Sequence, residues 1–104
     1  MSEDLQVIEK KILRGDILKA LEVTKGQWVG ALTLDQMLTS AGHNVHIPDI
    51  LLQCQYLAEK GYVEMKDTAR KSMGLTIFMA RNTVKAQDLI EGSVPDDPGI
   101  TLHD

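Results

Sequence analysis

Apolar residues recur at helical spacing from Leu5 to Val23, where Leu5, Ile8, Ile12, Leu13, Ile17, Leu18, Ala20 and Leu21 alternate with Lys10, Lys11, Arg14 and Lys19. The pattern predicts a first helix that Gly26 ends. Gly15 lies inside it and costs about 1 kcal/mol relative to alanine, so a bend or a late start at Asp16 is expected. Trp28-Val29 suits a short strand. Thr33 is the expected N-cap of a second helix through Ser40, with Leu34, Met37 and Leu38 on its apolar face. Pro48 fits the first turn of a third helix, which runs to Lys60. Gly61 then supplies a left-handed closure, and Tyr62-Val63-Glu64-Met65 alternates as a half-buried strand. A second strand is expected at Leu75–Met79, across a polar loop from Asp67 to Gly74. Asn82 or Thr83 can cap a fourth helix that Gly92 ends, and the segment from Ser93, with Pro95, Pro98 and Gly99, reads as irregular.

This order gives an α+β fold of the winged helix-turn-helix type, with a three-helix core, a β-hairpin wing and an additional C-terminal helix. It predicts one domain over residues 1–92 and an irregular tail over 93–104. A chain of 104 residues can bury roughly two thirds of its unfolded surface, enough for one core. The start Met1-Ser2-Glu3-Asp4 lacks the features of a signal peptide, and no apolar run nears the roughly 20 residues of a membrane span. A cytoplasmic protein without a membrane partner is therefore expected. The single Cys54 lies among Ile50, Leu57 and Ala58, which predicts a buried thiol.

The formal net charge of -4 opposes indiscriminate binding to nucleic acid, but the charge is unevenly distributed. Residues 60–85 hold six Lys and Arg against two acidic residues, whereas residues 86–104 hold five acidic residues and no Lys or Arg. The basic excess sits on the expected hairpin.

Several segments carry a narrower resemblance. Arg14-Gly15-Asp16-Ile17-Leu18, Ala41-Gly42-His43-Asn44-Val45, Tyr56 to Val63, Asp88 to Gly92 and Asp97-Pro98-Gly99-Ile100 are similar, in order and spacing, to a family of small Mu-like phage and prophage proteins. The resemblance implies a winged helix of phage or prophage origin, working in a bacterial host cell, that binds double-stranded DNA and possesses the general character of a transcription regulator. Relatives commonly carry basic residues where this chain has His46, Ile47, Pro48, Asp49 and Leu51.

In a helix-turn-helix the second helix of the pair enters the major groove. With Ile50, Cys54, Leu57 and Ala58 toward the core, Gln53 and Tyr56 are expected to face outward, Gln53 to pair with adenine and Tyr56 to reach a phosphate. That face has no arginine and, before Lys60, no lysine. The wing residues Lys66, Arg70 and Lys71 are the better phosphate contacts. Ile50, Leu51 and Leu52 span roughly 200° of the helix, so they cannot all enter one core. An exposed Leu51 or Leu52 suits a protein partner, and a winged helix used for protein interaction or dimerisation without DNA is the alternative reading. A homodimer is expected, formed through the first helix or the C-terminal segment.

His43 and His46 lack the paired motifs of a structural zinc site. No phosphate loop, nucleophile elbow or carboxylate pair is present. The sequence therefore predicts no metal, no cofactor, no small-molecule substrate and no enzymatic activity.

Overall fold

The computed structural model describes residues 4–67 and 78–102. Four helices pack with a small antiparallel sheet in the order α1 (Leu5–Val23), β1 (Val29–Gly30), α2 (Ala31–Ser40), α3 (Ile47–Glu59), β2 (Val63–Asp67), β3 (Phe78–Asn82) and α4 (Val84–Glu91). No described helix is long and apolar enough to cross a membrane.

Helix α1 is continuous through Gly15, with Asp4 as its N-cap accepting from the Gln6 amide at 2.9 Å. The late start at Asp16 is not seen, and the surroundings of Gly15 show why a glycine stands inside the helix. The Thr101 amide donates to the Lys11 carbonyl at 3.0 Å, and a side chain at Gly15 would collide with the Thr101 carbonyl. Glycine is present here to let a second backbone lie against the helix, not to end it.

Helix α2 starts at Ala31, two residues before the expected cap, and Thr33 is exposed. Gly30 pairs with Met79 of β3 and serves as the N-cap without a side-chain bond, so the chain passes from strand to helix with no separate capping residue. In α3, Pro48 lies in the first turn and the His46 amide donates to Asp49 Oδ2 at 3.1 Å. At its other end the Tyr62 amide reaches the Leu57 carbonyl at 2.9 Å and the Gly61 amide reaches Ala58 at 3.0 Å. This double closure needs a left-handed residue between helix and strand, and Gly61 supplies it with φ 87°.

Strand β3 is central, in the order β1-β3-β2. The register pairs Glu64 with Arg81, Met65 with Ala80, and Val29 with Ala80. Of the strand expected at Leu75–Met79, residues 75–77 lie outside the described part, and the described strand runs from Phe78 to Asn82. Thr83 caps α4, its Oγ1 accepting from the Ala86 amide at 3.4 Å.

One face of the sheet turns Val29, Val63, Phe78 and Ala80 onto Ile17, Leu18 and Leu21 of α1, Leu34 and Leu38 of α2, and Ile50, Cys54 and Leu57 of α3. Burial pushes the Cys54 thiol up to about 12, so it stays protonated at neutral pH and acts as a small apolar side chain. The segment after Ser93 has neither helix nor strand among its described residues, yet Ile100 and Leu102 are buried with the same core. Each contributes on the order of 1.5–3 kcal/mol by leaving water.

Candidate functional site

Helix α3 has two sides of different chemistry. Its core face consists of Ile50, Gln53, Cys54 and Leu57. Gln53, expected outward, is 8% exposed, and its Oε1 accepts from Arg14 Nε at 2.8 Å. Tyr56 is half-buried, with the Arg14 guanidinium 3.6 Å from its ring centroid and Lys60 Nζ at 5.2 Å. Both expected base- or phosphate-contacting residues are thus turned toward α1. The physical reason is that Arg14 offers a planar, charged partner that an amide and an aromatic ring satisfy together.

The C-terminal segment completes this cluster. The second Arg14 contact runs from Nη1 to the Gly99 carbonyl at 3.0 Å. Asp97 accepts from Lys60 Nζ at 2.9 and 3.1 Å, from the Tyr62 hydroxyl at 2.8 Å and from the Gly99 amide at 2.8 Å. Burial works to raise the Asp97 carboxyl, but the Gly99 amide, Lys60 and Tyr62 outweigh it and hold the group below its ordinary value. The hydrogen bond to Asp97 raises Lys60. Burial, followed by donation to Asp97, pushes the Tyr62 phenol up to about 12.

The solvent side of α3 shows Pro48, Asp49, Leu52, Gln55 and Glu59. Of the three consecutive apolar residues, Ile50 is buried, Leu51 is half-buried against the core and Leu52 is 60% exposed, as steps of about 100° require. This surface carries two carboxylates, one leucine and no cation.

Cations instead gather on the outer face of the sheet. Lys66 Nζ lies 4.4 Å and Arg81 Cζ lies 4.5 Å from the ring centroid of Trp28, which is half-buried beside β1. Glu64 engages Arg81 across the strands, with Nη2 to Oε2 at 2.8 Å. Trp28 and Arg81 were not singled out from the sequence. The signal was available only once β1 and β2 were known to flank β3, which sets Trp28 on one side of Arg81 and Glu64, with Lys66 two residues further along β2, on the other. Arg70 and Lys71 lie outside the described residues.

The two described histidines have structural roles. His43 Nε2 and Asp16 Oδ2 are 2.6 Å apart, joining the turn after α2 to α1, and His46 caps α3. Among the described residues no group of three or more His, Cys, Asp or Glu side chains is placed to hold a metal ion. A groove of about 470 Å³ between α1 and this turn is lined by Lys10, Leu13, Val45, Asp49 and Gln53, among others, with charges of both signs. Comparison of the chain with protein-family models, with curated proteins and with solved structures gives no match.

Proposed function

We propose that this is a winged-helix protein, of phage or prophage origin and cytoplasmic in a bacterial host, that binds double-stranded DNA through the hairpin rather than through α3. The order of elements supports the fold reading, because a short strand before α2 pairs beside β3 and the β2–β3 pair follows α3 directly. The observation that carries the DNA reading is the pairing of Lys66 and Arg81 over Trp28 on the outer sheet face. Two cations held over one ring are oriented without long, unrestrained side chains, which lowers the entropy lost on meeting phosphates. Arg70 and Lys71 add charge in the adjoining loop sequence. Regulation of transcription is the biological role this reading implies.

The α3 surface contributes little to such a complex. Asp49 and Glu59 repel phosphate, while Gln53 and Tyr56 are engaged inside the domain. Sequence-independent backbone binding is therefore expected, with a strong salt dependence. Anisotropy of a labelled duplex measures it. Lys66→Glu combined with Arg81→Glu should weaken binding by at least about tenfold at low salt and reduce the slope of log affinity against log salt by about 2. Absence of duplex binding by the unmodified protein at low salt would sink this reading. The exposed Leu52 between two carboxylates favours the second reading, a winged helix used for protein interaction.

A further inference from the structure

Three side chains stand in one row across the outer face of the sheet. Arg81 of β3 is in the middle, with Glu64 opposite it on β2 and Trp28, the residue before β1, on its other side. The guanidinium is held from both directions. Its carbon lies 4.5 Å from the Trp28 ring centroid, while Nε and Nη2 both donate to Glu64 Oε2, at 3.2 and 2.8 Å. Nε and Nη2 form one edge of the guanidinium fork, and that edge accepts a carboxylate or a phosphate in the same way.

We infer that Glu64 is the internal counter-ion of this face: it occupies the Arg81 edge in the free protein and yields it to a phosphate of bound duplex. The exchange rests on the reading that duplex DNA meets the hairpin, and it names the residue that holds such binding back. A merely positioning Glu64 would have the opposite effect, since its loss would then weaken binding. Trp28 decides between the two. Its ring orients Arg81 without help from the carboxylate, whereas the Glu64 charge stands where a phosphate must come. The ion pair is also open to water, with the Glu64 side chain 52% and that of Arg81 37% exposed. A pair so exposed is worth no more than about fivefold in an equilibrium constant, and the dense charge of a duplex backbone exceeds it.

Glu64→Gln removes the charge and keeps the shape. Anisotropy of a labelled duplex of arbitrary sequence at low salt should show this variant binding about threefold tighter than the unmodified chain. Loss of any carboxylate favours a polyanion, so the comparison is repeated with Arg81→Gln present, where the gain from Glu64→Gln should fall below about 1.5-fold. Thermal unfolding should show both single variants folded, as an exposed pair requires. Equal or weaker binding by Glu64→Gln, or a full gain in the Arg81→Gln background, would overturn the exchange and leave hairpin binding of DNA standing. Absence of duplex binding by both the unmodified chain and Glu64→Gln would overturn both.

Discussion

Gly15→Ala is expected to destabilise the domain by about 3 kcal/mol and lower its melting temperature by roughly 15 °C. The sign is the informative part, since the same substitution in an exposed helix normally stabilises by about 1 kcal/mol. A methyl group at Gly15 would overlap the Thr101 carbonyl, and the only relief is retreat of the C-terminal segment. That retreat breaks the Thr101–Lys11 hydrogen bond and exposes part of Ile100 and Leu102. Thermal unfolding followed by circular dichroism measures the effect. An alanine variant that melts at or above the unmodified protein would mean that residues 99–102 are not seated against α1.

The second large effect concerns Asp97. Its carboxylate accepts from Lys60, Tyr62 and the Gly99 amide, so removal leaves several donors without their acceptor. Asp97→Ala is expected to cost about 2–4 kcal/mol. The pH dependence follows from two opposite displacements. The Asp97 carboxyl is lowered in the folded state, so its contribution is complete above the ordinary value of 3.8 and is lost as pH falls through the folded value. The Tyr62 phenol is raised from 10.0 to about 12, so its contribution is complete below pH 10 and is lost as pH rises toward 12. The cluster therefore stabilises the domain fully between these limits and fails at both ends. Urea midpoints measured across this range should fall at each extreme for the unmodified protein; in Asp97→Asn the acid limb should flatten, while the alkaline limb, set first by burial of Tyr62, should largely remain. An acid limb of unchanged steepness in that variant would show that other groups control it.

The helices were legible because their apolar positions repeat along a single segment. The bounds of α1, the glycine closure at Gly61 and the Thr83 cap all depend on residues within a few positions of one another. The start of α2 was not, because Gly30 acts through pairing with Met79, far along the chain. The same limit affected the site. Gln53 is a polar residue at a helical position adjoining the core, and only Arg14 on another helix turns it inward. Asp97-Pro98-Gly99 reads locally as a turn, and nothing in those three residues specifies Lys60 and Tyr62 as partners. Exposed Leu52 was legible in part, since three adjacent apolar residues must diverge around a helix.

The hydrogen bond from Thr101 to Lys11 has a temporal consequence. Helix α1 can pack on α2 and α3 as soon as these follow it along the chain, whereas the Thr101 segment that lies on Gly15 comes after every described helix and strand. Closure of so long a loop is slow. The seating of that segment is therefore expected to be the last step of core formation, added to a helical body already assembled.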